Sequence, residues 1–167
     1  MLENVPNGSK IFIDSNIFIY HFLNLSNLCT AFLVRAEKRD ISACTSTVVL
    51  AEVLHRLTIA EAAEEFGIRP WQVVKFLKKN PEALKSLEKS EDAVAEIPRF
   101  NIGILPLDRN AIFESRVLRE AYCLLTNDSL NLCIMKCNGI QDIATNDSDF
   151  EKVDWITVWK PSWRRSE

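Results

Sequence analysis

The sequence predicts an α/β fold in three layers: a central parallel five-stranded sheet flanked by helices. Three observations predict it. Short apolar runs alternate with longer segments of helical periodicity along the chain, and parallel strands need such crossover helices to bring the chain back to the same edge. Aspartates recur where the predicted strands end, which is the edge at which open parallel sheets bind their ligands. No internal repeat or low-complexity segment is present, and only four glycines interrupt the 167 residues. We therefore read residues 1–167 as a single domain, with residues 160–167 as a short C-terminal tail.

Each element follows from local signals. The run Ile11, Phe12, Ile13 makes a first strand over 10–14, and Asp14 can cap the segment SNIFIYHFL that follows. NLCTAFLVRAEKRD, from Asn27, sets apolar residues at helical spacing with charges opposite. ISACTS (41–46) is a second strand, and Thr45, Ser46 or Thr47 can cap the helix VVLAEVLHRLTIAEAAEEFG, which stops at Gly67. Pro70 suits a first helical turn and Pro81 marks a break, giving a charged helical pair over 70–97. NIGILPL (101–107) is the third strand. Asp108 caps a helix to about Tyr122, and Thr126 or Asn127 caps the next, which ends at Asn138 before Gly139. QDIAT and ITVW supply the last two strands.

Composition narrows the function classes. A net charge of −3 gives no global basic field, so nucleic-acid binding must use local Lys/Arg patches or bridging metal ions. Lys75, Lys78 and Lys79, with Lys85 and Lys89 on the following helix, are the local candidates, although a solvated helix face accounts for them better. Trp163, Arg164 and Arg165 combine a stacking ring with charge, in what reads as a frayed tail. No window reaches the roughly 18 apolar residues of a membrane span, and no leader pattern opens the chain, so a cytosolic protein with no membrane partner is expected. Five cysteines, an odd number without a CxxC and with Cys133 and Cys137 at helical i,i+4 spacing, read as reduced core thiols rather than as a disulfide frame or a zinc site. His21 and His55 are the only histidines, and each is expected in a structural or surface role.

The acidic residues carry the chemistry. Asp14 ends the first strand, Glu52 lies in the helix after the second, Asp128 sits in the first turn of its helix, and Asp147 follows the strand ending at Thr145. Singly, each has an ordinary role. Asp14 is a helix cap, Asp128 complements a helix dipole, Glu52 pairs with Arg56, and Asp147 and Asp149 are turn residues. Together at one sheet edge they repel, by about 4 kcal/mol for a pair 4 Å apart at an effective dielectric of 20. A divalent cation relieves that repulsion. All-oxygen ligands select Mg²⁺ or Mn²⁺, one ion or two, and the natural chemistry of such a site is phosphodiester hydrolysis.

The segments IFIDSNIFIY, VVLAEVLHR, LLTNDSLNLCIMKCNGI and IATNDSDF resemble the PIN-domain nucleases, especially the VapC-type toxins of toxin–antitoxin pairs, over roughly Ile11 to Trp159. The resemblance implies a three-layer PIN-like fold. It also implies a single-strand-specific endoribonuclease in which Asp14, Glu52, Asp128 and Asp147 hold Mg²⁺ or Mn²⁺, with Asp149 as the alternate for the fourth place. Asn16 and Thr145 match polar positions near such sites, where they orient water or a carboxylate or simply cap. The resemblance further implies a small antitoxin partner and a homodimer, for which the apolar face of 27–36 is a candidate surface. Two other classes stay open. An aspartyl-nucleophile phosphatase would carry a second aspartate where this chain has Asn16, and a PIN-like binding or scaffolding module would keep the fold without turnover.

Overall fold

Ile11, Phe12 and Ile13 are wholly buried, and burial of three consecutive strand residues requires that both faces of the sheet be covered. They form β1 (Lys10–Ile13), the middle strand of the sheet. The computed structural model describes residues 1–162, so Trp163, Arg164 and Arg165 lie outside the described residues. Among these, β2 (Ser42–Ser46), β3 (Gly103–Leu105), β4 (Asp142–Ala144) and β5 (Thr157–Trp159) complete a five-stranded sheet of order β3-β2-β1-β4-β5. Every neighbouring pair is parallel. From β1 the chain builds outward to β2 and β3 on one side, then crosses back to place β4 and β5 on the other. The order therefore reverses between β1 and β4, and a crevice opens at that point beyond the carboxyl ends of the strands.

The helices are α1 (Ser15–Phe22), α2 (Asn27–Glu37), α3 (Thr47–Glu65), α4 (Pro70–Lys79), α5 (Lys89–Glu96), α6 (Arg109–Tyr122) and α7 (Thr126–Cys137). Of the three candidates for the α3 cap, Ser46 takes the role, its hydroxyl accepting from Val49 N at 3.1 Å. Asp108 caps α6 through Ala111 N at 2.7 Å. The expected cap of α7 is corrected: Leu125 occupies the N-cap and offers no side-chain bond, while Thr126 and Asn127 are already helical. That leaves Asn127 free to reach another partner. Phe12, Phe18 and Phe150 are fully buried, each worth roughly 1.5–3 kcal/mol relative to exposure.

The predicted helical pair over 70–97 is shorter and more broken than its charge pattern suggested. Proline at 81 opens a 3-10 turn (Pro81–Ser86), and Lys85, expected on a helix, sits on that turn beside Glu82. α5 is tied down by Glu61, a buried carboxylate on α3 that accepts from Lys89 N and Ser90 N, both at 2.9 Å. Two free amide donors at a helix start satisfy the charge, so this acid is a cap contributed by a neighbouring helix. The face of α2 considered for dimer contact is also corrected. Cys29, Phe32, Leu33 and Ala36 are buried in the core; exposed apolar side chains lie elsewhere, among them Ile112, Phe113 and Val117 on α6 and Trp71 and Val74 on α4. No single helix among the described residues is long and apolar enough to cross a membrane.

Candidate active site

Asp14 occupies the first position after β1 and caps α1, and its carboxylate is 5% exposed. Oδ1 accepts from Ser15 N at 2.7 Å. Oδ2 accepts from Asn16 Nδ2 and from the Thr145 hydroxyl, both at 2.6 Å. Thr145 lies just past β4, the strand paired with β1, and is fully buried. Its oxygen also accepts from Asn16 Nδ2 at 2.9 Å and from Asp147 N at 3.0 Å. Asn16 closes the loop, its Oδ1 accepting from Asn146 N at 2.9 Å. The two ends of β1 and β4 are thereby locked to each other through side chains, which fixes where Asp14 and Asp147 face.

The remaining acids approach from the helices and from the turn after β4. Asp128 is in the first turn of α7, and one oxygen each from Asp128, Asp147 and Asp149 lie within 4.8 Å of one another. Asp14 and Glu52 stand outside that trio, but their charges act on Asp128. Both aspartates proposed for the fourth place therefore join the cluster, whereas Asp14 is the buried member behind it. Glu52 does not pair with Arg56 among the described residues; its Oε2 accepts a long bond, 3.5 Å, from Asn127 Nδ2. Asp149 accepts from Lys152 at 2.8 Å, and its own N–H bonds Asp147 Oδ1 at 2.8 Å.

Electrostatics report the crowding. Burial pushes the Asp14 carboxyl up to about 6, against the hydrogen bonds from Thr145 and Ser15, and the charges of Glu52 and Asp147 add to the rise. Asp128 is pushed to about 7, by burial first and then by Asp14, Asp147, Glu52 and Asp149. The positive end of α7 favours an acid in its first turn by about 0.3–1 kcal/mol. A like-charge pair 4.8 Å apart costs about 3–4 kcal/mol at an effective dielectric of 20, so the repulsion wins. The donors are all oxygen, converge at a strand-order reversal and repel in their ionised form. That combination fits a hard divalent cation and does not fit a soft one.

Beside the acids runs a groove of about 480 Å³, lined by Thr47, Val48, Ala51, Glu52, His55, Leu107, Asn127 and Leu130. His55 is exposed on this groove, while His21 packs against Phe22 and Phe100 and bonds Thr30. Sequence reasoning passed over Asn131, Asn146 and Lys152, and read Asn127 only as a helix cap. Asn131 is buried one turn beyond Asp128; its Oδ1 accepts from Ser46 Oγ at 2.7 Å, and its Nδ2 has no partner among the described residues. The signal for Asn131 was present: it is a lone amide inside the apolar run LNLCIM, where burial without partners is costly.

Known proteins place the chain in a family. A family model described as PIN domain matches residues 11–156. Ribonuclease VapC2 of Methanocaldococcus jannaschii is 34% identical over 153 residues, covering 90% of this chain and 93% of that protein. Ribonuclease VapC6 of the same organism is 29% identical over 91% of this chain and 97% of its own length. Among solved structures, VapBC2 from Rickettsia felis bound to a promoter DNA fragment has a TM-score of 0.53 at 16% identity, covering 90% of this chain and 98% of that one. A toxin–antitoxin complex from Klebsiella pneumoniae has a TM-score of 0.50 at 14% identity, covering 88% and 95%. At those identities the structures speak for the fold, and the sequence matches speak for the family. On a family match over most of its length, a parallel sheet of the same type and relatives spanning nearly its whole extent, the chain belongs to the PIN domain family.

Proposed function

We propose that the protein is a metal-dependent endoribonuclease that hydrolyses phosphodiester bonds in single-stranded RNA, and that it is the toxin of a type II toxin–antitoxin pair acting in the cytoplasm. The observation that carries this reading is the convergence of Asp128, Asp147 and Asp149 within 4.8 Å, with Asp14 and Glu52 beside them, at the strand-order reversal. Relatives named as ribonucleases support the activity, and structural neighbours solved as toxin–antitoxin complexes support the antitoxin partner. A homodimer is part of the same reading, with the exposed apolar side chains of α6 as its surface.

In this reading Asp14, Glu52, Asp128 and Asp147 would hold Mg²⁺ or Mn²⁺, with Asp149, which lies within 4.8 Å of Asp128 and Asp147, as the alternate for the fourth place. The chemistry such an ion would supply there is Lewis acidity, toward water and toward the charge on the phosphate. The protein's own groups do the rest. Thr145 and Asn16 hold Asp14 in one orientation. Asn127 steadies Glu52 at the mouth of the groove, whose apolar wall suits an unstacked base. No histidine is required as a base, and His55 is available only at the groove's edge. A role for Asp14 as a phosphatase nucleophile fits poorly, because its two oxygens already accept three hydrogen bonds.

The test is direct. Purified protein should cut single-stranded RNA with Mg²⁺ or Mn²⁺ and stop on addition of EDTA. Cutting that survives EDTA, or survives Asp128→Asn, overturns the mechanism; metal binding without any cutting would mark a binding module instead.

A further inference from the structure

A second group of metal-ligating side chains lies apart from the carboxylate site, where α6 meets α7. One sulfur each from Cys133 and Cys137 and one oxygen from Glu114 fall within 4.8 Å of one another. The two thiols project from successive turns of α7 at i,i+4, the spacing that brings side chains together on one helix face. Glu114 is supplied by α6. They border a cleft of about 300 Å³ whose other lining residues are Val117, Leu118 and Lys136.

We propose that Cys133, Cys137 and Glu114 form a binding site for a thiophilic divalent cation of the Zn²⁺ class. The donor types decide the class. Two sulfurs with one carboxylate oxygen match zinc-type sites and do not match Mg²⁺ or Mn²⁺, which take oxygen alone. In a tetrahedral site with metal–sulfur bonds of about 2.3 Å, two sulfurs stand about 3.8 Å apart. The observed spread of 4.8 Å or less needs a contraction of at most about 1 Å, which the exposed Cys137 and Glu114 side chains can supply by rotation. Cys133, buried on the same face, is the fixed donor.

Charge balances as well. Binding releases two thiol protons to solvent, leaving two thiolates and one carboxylate around a dication, a net charge of −1. Lys136, on the cleft wall, supplies the offsetting positive charge. The cleft leaves room for water at a fourth position. The ion would join α6 to α7 across their interface, so occupancy should raise the thermal midpoint of the fold. None of this depends on what the acidic site does.

The experiment uses the reduced chain with Mg²⁺ in excess, to occupy the carboxylates, and titrates Co²⁺ as an optical probe. One equivalent of Co²⁺ should bind with a near-ultraviolet thiolate-to-cobalt band, and Zn²⁺ should displace it. Cys137→Ser, at an exposed position where folding is not at risk, should lose the band, as should Cys133→Ser. Glu114→Gln should keep the band at weaker affinity, and Cys123→Ser, which alters an exposed cysteine outside the cluster, should leave it unchanged. A wild-type protein with no band, a band that survives Cys137→Ser or disappears in Cys123→Ser, or a Glu114→Gln affinity equal to wild type overturns the site as assigned. RNA cleavage measured in Cys137→Ser separates this result from any failure of the nuclease reading.

Discussion

Helix α7 carries oxygen chemistry at one end and sulfur chemistry at the other. Asp128, in its first turn, faces Asp147 and Asp149 from the turn after β4, whereas Cys133 and Cys137, farther along, face Glu114 from α6. The same helix thus presents a hard donor set to the sheet edge and a mixed, softer set to its neighbouring helix. The first set is assembled by the start of α7 and the turn after β4, which the sheet brings together at one edge. The second is assembled by side chains on two packed helices, which depends only on local spacing. A carboxylate cluster held by sheet topology is pinned by partners such as Thr145, while two of the three groups in the thiol cluster are exposed and can adjust.

The sharpest break in the comparison comes from Asp128→Asn. Removing one charge from the trio should lower RNA cleavage by more than about 100-fold, the scale on which loss of a group acting on transition-state charge is felt. The same change should raise the melting temperature of the metal-free protein, because it relieves repulsion. Cleavage assays and thermal melts of the one variant check both. Thr145→Val comes next. It keeps every carboxylate but removes the hydroxyl that holds Asp14, so cleavage should fall roughly 10–100-fold, as for other partners that orient metal ligands. Here stability should also fall, by about 1–3 kcal/mol, since a buried acceptor loses its donor. A variant with full activity would show that Asp14 is not held by Thr145 in any way that matters.

The third expectation concerns pH without divalent metal. Asp14 and Asp128 titrate near 6 and 7 in the fold against 3.8 for the ordinary carboxyl. Between these values the folded state binds more protons than the unfolded chain, so stability falls as pH rises through the window and is lowest above about 7. For Asp14 alone the span is about 3 kcal/mol. Denaturant melts at pH 5 and pH 8 should show the metal-free protein more stable at pH 5, and saturating Mg²⁺ should flatten the difference. The smallest effect is expected at the other end of α7. Cys137→Ser should change neither cleavage nor, in the absence of thiophilic metal, stability by more than about 0.5 kcal/mol; a large loss of cleavage would show that the two ends are coupled.

Much of this was legible in the amino-acid order because it rests on local rules. Apolar runs, capping residues such as Ser46 and Asp108, and the breaks at Gly67 and Pro81 each leave a mark within a few residues. Acids at strand ends could be placed at one edge once the sheet was read as parallel. What escaped was decided by long-range packing. Nothing local says that Asp149 comes within 4.8 Å of Asp128, or that Asn131 meets Ser46 across 85 positions. Cys133 and Cys137 were read as core thiols, yet Cys137 is exposed, because α7 is buried on all sides from Ser129 to Met135 and leaves the core only in its last residues. The cap of α7 failed for a related reason: Leu125 takes the extended position before the helix, leaving Thr126 and Asn127 inside it.

The bond between Thr145 and Asp14 also sets a timetable. A chain made from its N-terminus carries Asp14 into the growing protein long before Thr145 is added, and 131 positions separate the two. At about 5–20 residues per second that interval is roughly 7–25 s. During it the nascent chain holds the first acids but has no β4 beside β1 to lock them in place. The cluster is therefore incomplete until β4 and the turn after it have been made, and any chemistry it supports waits for that segment.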